Sequence, residues 1–355
     1  MRLAQLAAIA LFTTLGASQN LTFDAWEHGR VALETVSIHF RYAGTGPPLL
    51  LVHGNPQHSL TWQWIGPRLV AAGYTVIAPD NRGAGDSSIP PDADYSAAAH
   101  AGDLVGVLNF LNVSSAYVFA HDKGVGFATA LAATEPSRVK MLGLAEYALP
   151  GFGYDEAVNP GPFWDLYQNP QLAFFQIPDF AEFLMAGRER AFLQWYFYHG
   201  SYSGTAAFSE LTVDRYASSV SKPGFLRAML GPFSTAALNA DRAFFTKRFA
   251  GNSSAPLEMP VLAMGGEASF GLPGALESLF NDKIAKDIEF DVVPKAGHWI
   301  ADENPNWVAD RILKFLGRDN DALPAVDLSH LKDQVTLSVG YFGTLRNARL
   351  GGMPV

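Results

Sequence analysis

The chain has 355 residues, of which 48% are apolar and 17% are charged, with a net charge of −9. This apolar fraction is too high for an intrinsically disordered chain, and the length is ample for a buried core. The acidic balance argues against a nucleic-acid partner, because nucleic-acid binders normally present a basic face. The absence of cysteine excludes disulfides, thiol catalysis and metal sites built on thiolates.

The N-terminus has the pattern of a secretory signal peptide over residues 1–18. One arginine precedes an apolar run at residues 3–15, small residues follow, and cleavage is expected near Ala17 or Ser18. The run is shorter than the ~20 residues that a membrane-spanning helix needs. We therefore expect a secreted or secretory-lumenal protein with no membrane span. Candidate glycosylation sequons begin at Asn20, Asn112 and Asn252.

Short apolar runs bounded by turn residues recur along the chain and predict buried strands. They occupy residues 49–52, 75–78, 117–119, 141–145, 261–264 and 288–293, after a predicted hairpin at residues 30–42. Helical segments follow several of them, at residues 101–111, 127–133 and 307–315. This alternation predicts an α/β fold with a mostly parallel sheet and helices on both faces.

The alternation stops between residues 150 and 255, where the sequence becomes aromatic-rich and helical in pattern, as in residues 180–198. A helical insertion of this kind predicts a cap over the sheet. We therefore assign residues 19–149 and 256–318 to the core and residues 150–255 to the cap. Residues 319–355 have no strong helical period and form a predicted C-terminal extension.

Several of the predicted strands end in turns rich in glycine, histidine and charged residues. These turns lie at residues 53–56, 80–87 and 120–126, and a similar turn lies at residues 296–299. In parallel sheets, ligands bind at the carboxyl ends of the strands. We therefore expect the four turns to meet at one site.

Asp122 has the most informative surroundings in these turns. Ala120 and Gly124 flank it two residues away on each side, on a predicted strand-to-helix turn. Small flanking residues permit a strained elbow that raises one side chain above the sheet. An aspartate there is ionised at neutral pH, so it can act as a nucleophile without an activating base. The alternative is that Asp122 only caps the following helix.

The turns resemble those of the α/β-hydrolases in the epoxide hydrolase and dehalogenase branch, over residues 35–316. The matching segments are His53-Gly54-Asn55-Pro56-Gln57, residues 80–87, His121-Asp122-Lys123-Gly124 and Gly297-His298-Trp299, with cap segments at residues 175–179 and 187–190. The resemblance implies the α/β-hydrolase fold with a helical cap. It also implies the family's chain order of nucleophile, acid and histidine.

The resemblance implies a two-step hydrolysis of a small-molecule substrate, with no cofactor and no metal. Asp122 would attack an electrophilic carbon to form an ester, and His298 would then deprotonate the water that hydrolyses this ester. The backbone N–H groups of Asn55 and Lys123 would form the oxyanion hole. The alternative for His298 is a solvated loop histidine.

The acid that orients His298 is expected after one of two strands, at Glu146 or at Glu267. At the second place, epoxide hydrolases more commonly carry an aspartate slightly further along, where this chain has residues 268–270. We therefore favour Glu146 and keep Glu267 as the less favoured alternative. Either glutamate could instead be a surface carboxylate at a strand end.

Cap residues are expected to set the substrate. Matching the cap to the family puts Phe174 and Phe233 where epoxide hydrolases carry two tyrosines that donate to the epoxide oxygen. The roof of the pocket would then be apolar and would suit a bulky apolar substrate. The assigned substrate contacts are His53, Phe174, Phe233 and Trp299. Nearby alternatives for the missing phenols are Tyr196, Tyr198 and Tyr202.

The features with which dehalogenases hold a halide or a carboxylate are incomplete in this chain. The His-Trp pair of haloacid enzymes would fall near Gln171 and Leu172, and the second arginine of those enzymes is Gly126 here. Asn55 resembles a halide-binding asparagine, but its usual tryptophan partner is replaced by Lys123. We expect the Lys123 side chain to leave the elbow toward solvent, with substrate carboxylate binding as the alternative.

Three functions are compatible with these residues. The first is an epoxide hydrolase-like enzyme that works through an ester on Asp122. The second is a haloalkane or haloacid dehalogenase, or a non-hydrolytic natural-product tailoring enzyme with the same site. The third is a non-catalytic small-molecule binder, against which the complete nucleophile and histidine argue.

Overall fold

A computed structural model describes residues 22–158, 170–250, 255–272, 274–331, 334–335 and 348–349. The predicted signal peptide and the sequons at Asn20 and Asn252 lie outside the described residues. Asn112 lies within them, exposed in the turn after a helix, with a φ of 55°. In the described part of the chain, no helix is long and apolar enough to cross a membrane.

Eight strands form one sheet, and most neighbouring pairs are parallel. The strands are β1 (Glu27–Ala32), β2 (Ser37–Ala43), β3 (Pro48–Val52), β4 (Thr75–Pro79), β5 (Ala116–His121), β6 (Val139–Ala145), β7 (Val261–Gly266) and β8 (Ile288–Val293). Their order across the sheet is β1-β2-β4-β3-β5-β6-β7-β8. Strand β2 pairs antiparallel with β1 and β4, and every pair from β4 to β8 is parallel. The predicted fold class is therefore confirmed.

The central strands are buried on both faces. Along β3, Leu49 and Leu51 pack into one hydrophobic cluster and Leu50 and Val52 into another, because successive side chains point to opposite faces of a sheet. The prediction of two-sided burial is wrong for β8. This strand lies at the edge of the sheet, and only Val293 among its residues is buried.

Helices cover both faces of the sheet and form the segment between β6 and β7. They are α1 (Gly66–Ala71), α2 (Ala97–Phe110), α3 (Lys123–Thr134), α4 (Tyr154–Val158), α5 (Pro170–Phe175), α6 (Pro178–Met185), α7 (Glu189–His199), α8 (Glu210–Val220), α9 (Phe225–Leu230), α10 (Thr235–Phe249), α11 (Ala275–Leu279), α12 (Ile300–Glu303) and α13 (Pro305–Leu316). Residues of α2 and α3 pack into one hydrophobic cluster, and residues of α1 and α13 pack into the other.

The described chain between β6 and β7 contains helices α4 to α10 and no strand, as the predicted cap requires. The helical stretch predicted at residues 180–198 is divided into α6 and α7. Gly187 lies between them with a φ of 77°, a left-handed conformation that interrupts a helix.

The start of the C-terminal extension packs on the core. Tyr117 donates its hydroxyl to Asp319 at 2.7 Å, and the Val326 N–H donates to the Gly46 carbonyl at 2.9 Å. Leu328 is buried in one of the hydrophobic clusters. Further along, β9 (Gln334–Val335) and β10 (Ala348–Arg349) form an antiparallel pair.

Candidate active site

Asp122 lies at a sharp turn between β5 and α3. Its φ of 50° and ψ of −134° are a backbone conformation that residues other than glycine rarely adopt. Helix α3 begins at the next residue, and the Asp122 side chain makes no capping hydrogen bond to it. The alternative of a helix cap is therefore excluded, and the turn is the strained elbow expected from the sequence.

Two glycines let the backbone approach this elbow closely. A Cβ atom on Gly124 would lie 2.4 Å from the Val52 carbonyl oxygen, so even alanine would collide with β3. A Cβ atom on Gly54 would lie 2.3 Å from Asp122 Oδ1. Both positions therefore require glycine for a steric reason.

Backbone N–H groups hold the Asp122 carboxylate. Asn55 donates its N–H to Asp122 Oδ1 at 2.7 Å, and the N–H of Lys123 also stabilises the carboxylate. The Asn55 side chain is directed elsewhere, because its Nδ2 donates to the Met229 carbonyl at 2.8 Å. The other oxygen, Oδ2, lies 3.4 Å from His298 Nε2.

His298 bridges Asp122 and Glu146. Its Nδ1 lies 2.9 Å from Glu146 Oε2, and its Nε2 lies 3.4 Å from Asp122 Oδ2. The Nε2 atom is buried and has no hydrogen-bond partner among the described residues. A proton on Nδ1 is thus fixed by Glu146, and Nε2 faces Asp122.

Glu146, rather than Glu267, contacts the ring. Glu146 is buried at the end of β6 with a φ of 63°, and its Oε1 accepts the Gly266 N–H at 2.6 Å. Its Oε2 also accepts the Ser269 hydroxyl at 2.7 Å. Glu267 is exposed and accepts the backbone N–H of Lys295 at 2.8 Å.

Burial and the neighbouring charges shift the pKa values of Asp122 and His298 in opposite directions. Burial alone would raise the pKa of Asp122, but the close approach and positive charge of His298 hold this pKa below its ordinary value. Burial alone would lower the pKa of His298, but Asp122 and Glu146 raise it to about 10. Asp122 is therefore ionised and His298 protonated at neutral pH.

The loop that carries His298 is held from both sides. His121 donates from Nε2 to the His298 carbonyl at 2.7 Å, and the His298 N–H donates to the Gly200 carbonyl at 2.8 Å. Trp299 is 1% exposed and packs edge-on against His298, with ring centroids 4.6 Å apart. Trp299, which is predicted to contact substrate, lies behind His298 and does not line the cavity.

His53, which is also predicted to contact substrate, has its ring hydrogen-bonded to the backbone. Its Nδ1 donates to the Gly54 carbonyl at 2.7 Å, and its Nε2 accepts the Asn81 N–H at 2.8 Å. Both ring nitrogens are therefore used by the backbone. His53 ties the turn after β3 to the turn after β4 and does not line the cavity.

A cavity of about 140 Å³ lies above Asp122. Asp122, Glu146 and His298 form its core side, and Phe233 lies on the cap side, as expected. Phe174 does not line this cavity. It packs against Phe175 and Phe192, at centroid distances of 5.0 and 6.5 Å, because α5 turns it toward α7.

The roof of the cavity is not purely apolar, contrary to the prediction. Tyr154 and Tyr196 line it, and both are almost fully buried. Of the three nearby tyrosines considered from the sequence, only Tyr196 lines the cavity. Tyr198 donates to Glu210 at 3.1 Å, and Tyr202 is 50% exposed.

Lys123 lies inside the protein. The prediction that its side chain points to solvent is wrong, because Lys123 is 0% exposed. Its Nζ donates to the Tyr147 hydroxyl at 2.9 Å and lies 4.6 Å from the ring centroids of Tyr154 and Phe233. The aromatic side chains of Tyr147, Tyr154 and Phe233 therefore surround the Lys123 ammonium group.

Sequence reasoning missed several residues of the cavity. Tyr147 and Tyr154 belong to no recognisable motif, although Tyr147 directly follows Glu146. Gln171 and Leu172, which had been matched to the halide-binding pair of haloacid enzymes, both line the cavity. The Gln171 Oε1 is buried without a hydrogen-bond partner among the described residues.

Three side chains outside the cavity lie close enough together to bind a metal ion, but they are already hydrogen-bonded to protein groups. His39, Asp80 and Asp86 bring potential ligand atoms within 4.8 Å of one another. Asp80 accepts from His39 Nδ1 at 2.7 Å, and it accepts the N–H groups of Ser59 and Asp86 at 2.8 and 2.9 Å. These contacts account for the burial of Asp80 without an ion, so we interpret the group as structural.

Comparisons with known proteins identify the family of this chain. The α/β hydrolase fold family matches residues 47–305. Epoxide hydrolase 3 of Siraitia grosvenorii is 28% identical over 336 residues, covering 83% of this chain and 99% of the relative. The soluble epoxide hydrolase of a Corynebacterium species is 28% identical over 291 residues, covering 81% of this chain and 96% of the relative.

A solved structure shows the same fold. Cfl2 from Burkholderia cenocepacia superimposes with a TM-score of 0.71 at 28% identity, covering 81% of this chain and 95% of that chain. The chain belongs to the α/β hydrolase fold family, and it is an epoxide hydrolase-like hydrolase.

Proposed function

We propose that the protein hydrolyses epoxides through a covalent ester on Asp122. The observation that carries this proposal is the linked arrangement of Asp122, His298 and Glu146 beneath one cavity. Oδ1 is held by the Asn55 N–H, so Oδ2 is the oxygen that attacks the ring carbon. The carbon–oxygen bond of the epoxide breaks as the ester bond forms.

Ester formation prepares His298 for the second step. The negative charge of Asp122 is one of the interactions that raise the pKa of His298. The ester is neutral, so this pKa falls and His298 releases its Nε2 proton to solvent. The neutral Nε2 can then take a proton from water. The resulting hydroxide attacks the ester carbonyl, and the oxyanion forms on Oδ1, where the N–H groups of Asn55 and Lys123 stabilise it.

The dimensions and polarity of the cavity favour a compact apolar epoxide. About 140 Å³ is close to the size of engineered protein cavities that hold benzene. We therefore propose a smaller substrate than the bulky one expected from the sequence. Burial and the charge of Asp122 raise the pKa of Tyr154 and Tyr196, so these phenols keep their protons and can donate to an oxygen.

The contacts around Asp122 count against dehalogenation. The Asn55 side chain, which would have to bind halide, donates instead to the Met229 carbonyl. Lys123, which would have to bind a substrate carboxylate, donates to Tyr147 behind the cavity wall. Each contact commits one donor hydrogen of the side chain to a protein oxygen, so neither group is directed solely at a halide or a substrate carboxylate.

A substrate panel tests the proposal. Small terminal and disubstituted epoxides would be compared with alkyl halides of the same skeleton, with diol and halide measured separately. We expect diol from the epoxides and a loss of roughly four to six orders of magnitude in Asp122→Asn. Asp282→Asn, which changes an exposed carboxylate, is the matched control. Halide release without diol formation, or full activity in Asp122→Asn, would contradict the proposal.

We also propose that the protein enters the secretory pathway and is glycosylated at Asn112. The apolar run at residues 3–15 and the exposure of Asn112 support this. Expression in a eukaryotic host should give secreted protein whose N-terminus follows Ala17 or Ser18. Its mass should fall on glycosidase treatment and in Asn112→Gln. Retention of the intact N-terminus in the cytosol would contradict it.

A further inference from the structure

Two adjacent strand ends each supply two consecutive residues to the site. Strand β5 is followed by Asp122 and Lys123, and β6 is followed by Glu146 and Tyr147. The first member of each pair contacts His298. The second members contact each other, because Lys123 Nζ donates to the Tyr147 hydroxyl at 2.9 Å.

Lys123 has no carboxylate partner at ion-pair distance among the described residues. Its Nζ instead lies over aromatic rings, 5.1 Å from the centroid of Tyr147 and 4.6 Å from those of Tyr154 and Phe233. A fully buried cation held only by a phenol and ring faces is costly to desolvate. Such a group is expected where negative charge develops during a reaction.

The hydroxyls beside this cation are available to a substrate. The Tyr147 oxygen accepts from Lys123, so its own proton is left to donate elsewhere. The Tyr154 hydroxyl is buried and has no hydrogen-bond partner among the described residues. Both tyrosines line the cavity above Asp122, and their ring centroids lie 5.2 Å apart.

We propose that Lys123, Tyr147 and Tyr154 form the site that receives the oxygen leaving the substrate carbon. Tyr147 is the catalytic proton donor, Tyr154 is a second hydrogen-bond donor, and Lys123 is the positioning residue that supports Tyr147. The inference rests on the ester mechanism proposed above. On this proposal, the leaving group that this side of the cavity stabilises is an alkoxide rather than a halide.

The proton transfer balances over the reaction. As Asp122 Oδ2 bonds to carbon, the carbon–oxygen electron pair stays on the leaving oxygen, which takes the Tyr147 proton. Lys123 passes a proton to the Tyr147 oxygen and becomes a neutral amine. Hydrolysis of the ester later forms the Asp122 carboxylic acid, whose proton is released and restores the ammonium.

The charge of Asp122 controls when Lys123 gives up its proton. Asp122 and Asp241 both favour the ammonium form of Lys123 against the effect of burial, which lowers its pKa to about 8. When the ester forms, the charge of Asp122 disappears and Lys123 becomes more acidic. The proton is therefore released most readily when the leaving oxygen needs it.

Lys123 and the titratable groups around it change charge at different pH values. Burial raises the pKa of Tyr147 and Tyr154 well above its ordinary value, and that of Asp241 to about 6. Burial also lowers the pKa of His100, on α2, well below its ordinary value. Lys123 is thus the group of this set that changes charge near pH 8.

The experiment measures ester formation alone. His298→Gln serves as the parent protein, because it should accumulate the ester on Asp122, and styrene oxide serves as the probe. The rate of adduct formation is followed by peptide mass spectrometry from pH 6 to pH 10, a range that spans the lowered pKa of Lys123. Tyr147→Phe and Lys123→Met are added to the parent. Tyr198→Phe, a cap tyrosine outside the cavity, is the matched control.

We expect Tyr147→Phe to slow adduct formation by about 100- to 1,000-fold and Tyr198→Phe to leave it unchanged. The parent rate should fall above about pH 8, and Lys123→Met should be slower and lack this fall. Adduct formation at the parent rate in Tyr147→Phe would overturn the inference. So would a fall above pH 8 that persists in Lys123→Met. Absence of any adduct in the parent would instead overturn the ester mechanism itself.

Discussion

The floor of the cavity and its roof are built in different ways. On the floor, Asp122 and Glu146 are held by strained backbone at strand ends, with φ values of 50° and 63°. On the roof, Tyr154, Tyr196 and Phe233 come from separate helical segments and are placed by packing. In the proposed mechanism, backbone geometry at the floor therefore fixes the reaction type, whereas side-chain packing in the cap sets the substrate.

The largest expected effect concerns the floor. His298→Gln should lower turnover by about five orders of magnitude, because water attack on the ester needs the imidazole. Ester on the Asp122 peptide should accumulate, since attack on carbon does not need it. Peptide mass spectrometry after incubation with a verified substrate measures both. His330→Gln, at an exposed histidine, is the control. An unmodified Asp122 peptide in the variant would count against the two-step scheme.

The next largest effect is a difference in turnover between variants of Glu146 and Glu267. Glu146→Gln should lower turnover by about 10⁴-fold, because an amide cannot fix the proton on His298 Nδ1 in the same way. Glu267→Gln should stay near the parent value, since Glu267 is exposed and its carboxylate accepts the Lys295 backbone N–H rather than contacting His298. Steady-state kinetics of both variants decide the matter. Equal losses in the two variants would refute the assignment.

On the roof, activity and stability should move in opposite directions. The Tyr154 hydroxyl is buried without a partner among the described residues, so Tyr154→Phe should stabilise the fold by about 1 kcal/mol. The same change should lower epoxide turnover by roughly 100-fold, because a donor to the leaving oxygen is lost. Thermal unfolding and kinetics test this, with Tyr198→Phe as control. A variant that is both less stable and fully active would contradict it.

The smallest effect is a pH dependence of stability. Asp122 and Glu146 raise the pKa of His298 from 6.5 to about 10. A raised pKa in the folded state gives stability that is complete below about pH 6.5 and is lost as the pH rises through about 10. The melting temperature should therefore fall more steeply between these pH values in the parent than in His298→Gln. Parallel curves for the two proteins would disagree with the ion pair.

Much of the floor could be predicted from the sequence. Glycines and small residues around Asp122 indicate an elbow because larger side chains would collide with β3. The strands could be located because apolar runs between turn residues suit a buried sheet. The exception was β8, whose edge position depends on the order of strands across the sheet rather than on its own residues.

The roof could not be predicted, for physical reasons. A cap residue reaches the cavity only through the rotation and packing of its helix, as the outward turn of Phe174 on α5 demonstrates. Lys123 was expected in solvent because a lone cation is costly to bury. The enclosing rings of Tyr147, Tyr154 and Phe233 come from distant parts of the chain, so no local pattern reveals them.

The most direct test of the central claim is an isotope experiment on Asp122. Many turnovers of a verified epoxide would be run in water enriched in heavy oxygen, and the Asp122 peptide would then be weighed. Because water attacks the ester carbonyl in our scheme, heavy oxygen should enter the Asp122 carboxylate. An unlabelled Asp122 peptide, with the label found only in the diol, would mean that water attacks the substrate directly and would contradict the covalent mechanism.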